Sequence, residues 1–471
     1  MAKQWKHTFS KFYNGETDDT FIPTWDKYLS SYNIEPVLHP RYLELAPKVL
    51  TTGTISPLYN VTKIVELPWF EELNISFEDV HYETTSKDAV LLWSWYTDAS
   101  YLYNSGWVLK VYVFDSTNVI QMNEDLTVRD SATAHATGTV TSVIRDNTYI
   151  IYAINNLLYK INESGIITNA GDTIKYGSIV RWMYFDNDIL YVFAVLWTDT
   201  YIYSMQYNWT SWKYEIIYTE TIKWLTCRDV SWNGSDIYFV ASSFSNPSNS
   251  WLYQKSWIKS IKIKSVSFTS SVKCSFLNNS FLQIIDWANL YRYGTNIPWF
   301  PNAFVKLLTH SANFTAISSV YMATERSWWN VILCLLSSNK YQTTGEIVTM
   351  PYDAGAIWSE KNLDVIIFPY ELKTGKTGAS IQIQIQTNLM ELNNTSTYKN
   401  IRTLDTLWNT TMHCRIDKQE ILTALVDENP DWQYARFKII ENAWLTDDYS
   451  PKVYQDIFIA WQFLNDAETY L

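Results

Sequence analysis

The chain has 471 residues and a formal net charge of −12, so it is long enough for more than one domain and too acidic for a nucleic-acid footprint, with no basic stripe against that balance. No stretch reaches the roughly 18 uncharged apolar residues of a membrane span. Met1-Ala-Lys-Gln-Trp-Lys-His7 has no apolar run behind its charges, so no secretory signal is visible and the protein is expected to be made or assembled inside a cell.

Residues 1–65 carry Pro23, Pro36, Pro40, Pro47 and Pro57. Proline fixes φ and removes a backbone donor, so this segment is expected as an extended arm lying on something else, without a core of its own. Deletion of residues 1 to about 55 is expected to leave the propeller folded, with an unchanged thermal transition.

Over 66–355 an apolar β-type run is followed six times by a short strand with tyrosine in its core. The runs are Val90–Trp93, Tyr149–Ala153, Ile189–Phe193, Ile237–Val240, Phe281–Ile285 and Val331–Leu336; the tyrosines are Tyr103, Tyr159, Tyr203, Tyr253, Tyr291 and Tyr341. Steps of 56, 44, 50, 38 and 50 residues between them, with no helical periodicity inside each unit, are the signature of propeller blades. Thr, Tyr, Val, Ile and Trp are abundant, which suits pleated, half-buried strands. From about 360 the texture changes. Ile381, Ile383 and Ile385 alternate with glutamines, and Arg436–Ile440 and Val453–Phe463 supply further strands, so 360–471 is expected as a β-sandwich. The expected fold is therefore all-β: a six-bladed β-propeller with an extended N-terminal arm and a C-terminal β-sandwich.

Chemistry-bearing residues are scattered. Cys227, Cys274, Cys334 and Cys414 form no Cys-x-x-Cys pair and read as small buried hydrophobes in a reduced protein. The histidines (His7, His39, His81, His135, His310 and His413) show no metal-ligand spacing, and His413 beside Cys414 sits in an alternating strand. Asp186-Asn-Asp188 reads as a solvated hairpin before a calcium site. Ser231–Asp236 only superficially resembles a sialidase turn. A facing carboxylate pair of the glycosidase kind cannot be located in sequence. No catalytic, cofactor-binding or metal residue is assigned, and no cofactor is expected.

The anomaly is glycine. Average usage of about 7% would give roughly 33 glycines; there are 13, against 23 tryptophans. Many tryptophans stand where turn chemistry asks for glycine, as in Asn208-Trp-Thr-Ser-Trp212, Lys255-Ser-Trp257, Ile297–Pro301 and Asn442–Leu445. One hypothesis is that the source reads UGA as glycine while the sequence was translated with UGA as tryptophan. Trp209, Trp212, Trp224, Trp257, Trp299 and Trp444 are then expected to be glycine. The competing reading is that the tryptophans are real and stack on sugar rings. Ligand-binding aromatics should converge on one face, whereas mistranslated glycines should spread over turns on all sides.

Three further stretches bear on the class: Tyr32-Asn-Ile-Glu-Pro36, then Leu43-Glu-Leu-Ala-Pro-Lys48, and Tyr449–Tyr454 leading into Asp456–Ile459. With an arm, a degenerate propeller and a terminal sandwich in one acidic chain, they resemble the virion proteins of tailed bacteriophages, those of tail tips, nozzles and adaptors. No functional residue carries over from the resemblance. It implies a non-catalytic structural part of a phage tail, located in the virion and made in the host cytoplasm. It implies other tail subunits as partners, in a homo-oligomeric ring or with symmetric neighbours, and a host-surface glycan as a further ligand. The alternatives are a carbohydrate-binding or adhesion propeller of a cell surface and, less favoured, a propeller glycosidase.

Overall fold

A computed structural model describes residues 4–9, 28–36, 42–57, 60–66, 72–76, 78–83, 89–103, 106–122, 129–146, 148–186, 188–256, 259–277, 281–294, 302–328, 330–349, 361–373, 376, 378–387, 398–405, 412–425, 435–444, 448–454 and 457–463. Among these residues the only helix is Lys418–Ala424, and everything else regular is strand. Six four-stranded sheets follow one another over 61–96, 98–134, 140–169, 179–222, 225–266 and 273–309. A seventh takes Phe314–Ile317, Tyr321–Thr324 and Val331–Tyr341, and is completed from far upstream by Pro47–Ile55. The first strand of each sheet packs on the first strand of the next, and Phe314–Ile317 of the seventh meets Val61–Glu66 of the first. That closed succession is a β-propeller.

The tyrosine register has a physical origin in the middle of the ring. Tyr159 and Tyr253 lie on third strands and stack on residues directly opposite on the second strands: Tyr152 at 5.5 Å between ring centroids and Phe239 at 5.0 Å. Tyr203 faces Val192 in the same way, as cross-strand pairing favours. Tyr291 also sits on a third strand, Asn289–Gly294. The register fails toward the ends. Tyr103 is on the first strand of the second sheet, Asp98–Tyr103, and Val90–Trp93 belongs to the last strand of the first, Ala89–Tyr96. The expectation of six blades is thus corrected to seven four-stranded sheets. One sheet escaped the count because the first repeat unit joins the last strand of the first sheet, Ala89–Tyr96, to the first strand of the second, Asp98–Tyr103, and so takes two sheets for one.

Apolar side chains between consecutive sheets make the core. Leu102, Tyr112 and Phe114 of the second pack on Val140, Ile150 and Tyr152 of the third, and Phe193 of the fourth meets Phe239 of the fifth edge to face at 5.5 Å. At the closure, Ile55, Ala316 and Leu333 pack on Val61 and Ile64. Polar ties accompany them. Lys63 Nζ donates to Asp98 at 2.7 Å, and the Glu66 carboxylate accepts from Val320 N at 3.0 Å and Ser319 Oγ at 2.5 Å. Asp229, buried on the first strand of the fifth sheet, accepts from Trp182 Nε1 of the fourth at 2.8 Å and Cys274 N of the sixth at 2.7 Å.

Two compact units interleave along the sequence: Leu50–Ala288 with Ser311–Leu335, and Met1–Val49 with Asn289–His310 and Leu336–Leu471. The second unit holds a seven-stranded and a five-stranded sheet. Ile381, Ile383 and Ile385 are buried on one face of Ala379–Gln386, following the alternation. The segment expected as an arm is woven into both sheets. Gln4–Phe9 pairs with Ile457–Phe463, Tyr28–Tyr32 with Thr344–Thr349, and Tyr42–Leu45 with Lys452–Tyr454. Ile34, Leu43, Leu45 and Ala46 are fully buried. Gly345 is needed here for close approach: a Cβ would meet Asn33 O at 2.5 Å and Ile34 Cδ1 at 2.9 Å. Residues 1–55, expected to lie apart as an extended arm, instead supply strands to these sheets, and Pro47–Ile55 is a whole strand of the seventh sheet.

Replacing Asp229 by alanine leaves an indole N–H and a backbone N–H buried without an acceptor. At about 1–3 kcal/mol for each of the two stranded donors, Asp229→Ala is expected to lower unfolding free energy by about 2–6 kcal/mol, seen as a lower urea midpoint at unchanged slope.

Candidate functional site

The scattered residues stay scattered. All four cysteines are free and buried, and burial pushes the Cys334 thiol up to about 11. On Met412–Asp417, His413 is exposed and Cys414 buried, so the neighbours point to opposite faces of the strand. Among the described residues no group of three or more His, Cys, Asp or Glu is placed to hold a metal ion. Asp188, at φ 63°, turns the hairpin in which Asp186 pairs with Ile189. In Ser231–Asp236 the Asn233 side chain accepts from Ser235 N and Asp236 N, at 2.9 and 2.7 Å, around Gly234 at φ 100°. Both are hairpin turns.

The feature that stands out is at the turns. Positive φ among the described residues is held by six glycines, two asparagines, one aspartate and six tryptophans: Trp107, Trp197, Trp212, Trp224, Trp287 and Trp328. These indoles are 52–90% exposed. A left-handed bulky residue costs about 1–3 kcal/mol, so six together approach the whole stability of a domain, about 5–15 kcal/mol. Of the tryptophans expected from sequence, Trp212 and Trp224 belong to this set. Trp209 and Trp444 are exposed without positive φ, while Trp257 and Trp299 lie outside the described residues. Trp197, Trp287 and Trp328 were missed because an isolated Trp in a two-residue turn carries no local sequence signal once glycine is not there to mark it, and Trp107 because Gly106 beside it already marks the loop between Tyr103 and Leu109.

One aromatic ridge adjoins a cavity of about 320 Å³ at the third and fourth sheets, lined by Tyr149, Lys160, Asn162, Ser211, Trp212 and Lys213 among others. Tyr207 meets Trp209 at 4.9 Å between ring centroids, and Trp209 meets Trp212 at 6.3 Å. The buried Lys160 donates from Nζ to Trp212 O at 2.9 Å and to Tyr207 Oη at 3.3 Å, and its ammonium lies 4.6 Å from the Tyr149 ring centroid. Aromatic faces beside an ammonium suit a sugar or an anion. No lining residue carries a carboxylate, so two-carboxylate glycoside hydrolysis has no footing in this cavity.

A second cluster lies in the unit that contains both chain ends. Glu35 is fully buried and paired with Arg292. Glu44, on Tyr42–Leu45, is buried near it, and burial together with the Glu35 charge pushes its carboxyl up to about 7, against a smaller opposing pull from Lys452. Glu441, on Arg436–Ala443, is fully buried with neither carboxylate oxygen hydrogen-bonded. Burial, and then the charge of Glu44, raise it well above the ordinary carboxylate range. Full burial leaves no room for substrate, so this cluster acts on stability.

No family model and no curated protein matches the chain. Solved structures similar to it include the Pan2 WD40 domain of Neurospora crassa, at 8% identity and TM-score 0.46, covering 63% of this chain and 98% of that one. Virginiamycin B lyase from Staphylococcus aureus is similar at 9% identity and TM-score 0.46, covering 62% and 99%. A chain of the mitotic checkpoint complex is similar at 11% identity and TM-score 0.42, covering 69% and 97%.

The raised carboxyls fix a sign for pH dependence. Between the ordinary value of 4.5 and about 7, folded Glu44 keeps a proton that the unfolded chain has released, so stability falls as pH rises through that window. Glu441 extends the fall to higher pH. The urea midpoint is expected to be higher at pH 5 than at pH 8, with Glu44 contributing about 3 kcal/mol at most. Glu441→Gln, which removes a carboxyl that stays protonated in the folded chain and ionises in the unfolded one, should narrow the difference; a midpoint that rises with pH would contradict it.

Proposed function

We propose that this chain is a rigid, non-catalytic part of a bacteriophage tail, made in the host cytoplasm and assembled into the virion beside other tail subunits, in a homo-oligomeric ring or with symmetric neighbours. The observation that carries the reading is the self-stapling of the chain. Its first strand, Gln4–Phe9, is hydrogen-bonded along Ile457–Phe463, and Pro47–Ile55 completes the seventh sheet. A scaffold gains from such long-range closure, because strands far apart in sequence hold each other in one sheet. In this reading the seven-stranded and five-stranded sheets form a β-sandwich that faces neighbouring subunits, and a host-surface glycan is a further ligand. UGA is read as glycine in the source, in keeping with a phage that adopts the code of its host.

The second reading, a carbohydrate-binding propeller of a cell surface, is favoured by the ridge of Tyr207, Trp209 and Trp212 beside its cavity. Peptide mass spectrometry of density-gradient fractions from the source separates the two. The tail reading expects peptides of this chain to band with tailed particles, at the copy number of a ring component. Recovery in the cell-envelope fraction alone, or glycan hydrolysis by the isolated protein, would overturn it.

A further inference from the structure

We infer that Trp107, Trp197, Trp212, Trp224, Trp287 and Trp328 are glycine in the protein as its source makes it. The inference rests on the recoding reading and says which positions carry it, on grounds that the sequence does not supply. All six are left-handed, with φ between 54° and 63°, a region that glycine enters freely and that a residue with a Cβ enters at a penalty.

Equivalent turns of the ring point the same way. The hairpin between second and third strands is a two-residue loop in the third and fourth sheets, where Ile154 pairs with Leu157 and Leu196 with Asp199. Its first residue is Asn155, at φ 55°, in the third sheet and Trp197, at φ 55°, in the fourth. Trp287 opens the matching loop of the sixth sheet, between Phe281–Asp286 and Asn289–Gly294. Trp328 opens that of the seventh, inside the Ser327–Asn330 bridge. Positive φ at the first residue of a two-residue hairpin is the place for glycine, with asparagine the usual substitute. The turn between third and fourth strands gives a direct comparison. In the third sheet Gly165, at φ 77°, donates its N–H to Asn162 O at 3.0 Å, and the Asn162 side chain caps the turn. In the fourth, one residue longer, Trp212 donates its N–H to Asn208 O at 2.8 Å, and the Asn208 side chain caps it likewise. The same work is done by glycine in one sheet and by tryptophan in the next.

The distribution also fits. Trp107 and Trp212 follow first and third strands, whereas Trp197, Trp224, Trp287 and Trp328 follow second and fourth strands. In antiparallel sheets these are opposite ends, so the six do not gather on one face as sugar-stacking aromatics would. Other tryptophans behave as tryptophan: Trp182 donates its indole N–H to Asp229, and Trp461 is 3% exposed in Ile457–Phe463. With glycine at 212, the ridge beside the 320 Å³ cavity loses an indole, which removes much of the case for a sugar site there.

Tryptic peptides of the chain purified from its source, sequenced by mass spectrometry and set beside the gene, test the inference. Glycine is expected at all six positions with UGA codons, and tryptophan with UGG at Trp182 and Trp461. Tryptophan with UGG at every position would overturn both the inference and the recoding. Glycine at other tryptophans, such as Trp209 or Trp444, but not at these six would overturn the inference and leave recoding standing. In recombinant protein, Trp→Gly at the six positions together is expected to raise the thermal midpoint and Trp182→Gly to lower it; a fall in the first case would count against the assignment.

Discussion

The structure depends on how the seventh sheet closes. Phe314–Ile317, Tyr321–Thr324 and Val331–Tyr341 supply three strands, and the fourth must come from Pro47–Ile55, almost three hundred residues upstream. The pairing is tied at both ends. Gln342 N donates to Ala46 O at 2.9 Å and its side chain to Pro47 O at 3.3 Å, while Ser56 Oγ donates to the Asn330 side chain at 2.8 Å. Ile55 then joins the cluster with Val61 and Leu333. Closing so long a loop costs conformational entropy, yet that cost grows only slowly with length. In return the outermost strand of a sheet is held by the chain itself.

That constraint explains what happens on either side of it in sequence. The strands before Pro47 are drawn into sheets with the C-terminal strands, as in the pairing of Gln4–Phe9 with Ile457–Phe463. The packing is tight enough there to require Gly345 against Asn33. It also buries charge. Glu35 finds Arg292, whereas Glu441 is left with no hydrogen bond. Leaving a carboxyl unsatisfied in a core is tolerable only while it holds its proton.

The all-β class and the blade rhythm were legible because cross-strand stacking writes itself into sequence: Tyr152 on Tyr159 and Phe239 on Tyr253 put an aromatic on the third strand of their sheets. The blade number was not. The first repeat unit, from Val90–Trp93 to Tyr103, runs across two sheets, and the closing strand, Pro47–Ile55, lies outside the repeat altogether and is half-exposed along most of its length. Prolines at 36, 40 and 47 suggested an unpaired arm, but proline excludes a residue from donating to a ladder, not its neighbours from pairing. The excess of tryptophan over glycine was plain from composition; which tryptophans matter was visible only as backbone angles. Of the six positions singled out from sequence, Trp212 and Trp224 have that geometry, and four of the strongest, Trp107, Trp197, Trp287 and Trp328, needed the fold to be seen.

The account turns on closure by the upstream strand, and a truncation probes it directly. The thermal transition of the chain lacking residues 1–55 should be compared with that of the full chain. The account predicts a lower and less cooperative transition, since the seventh sheet loses its outer strand and Ile55 leaves the core. An unchanged midpoint with full cooperativity would contradict it.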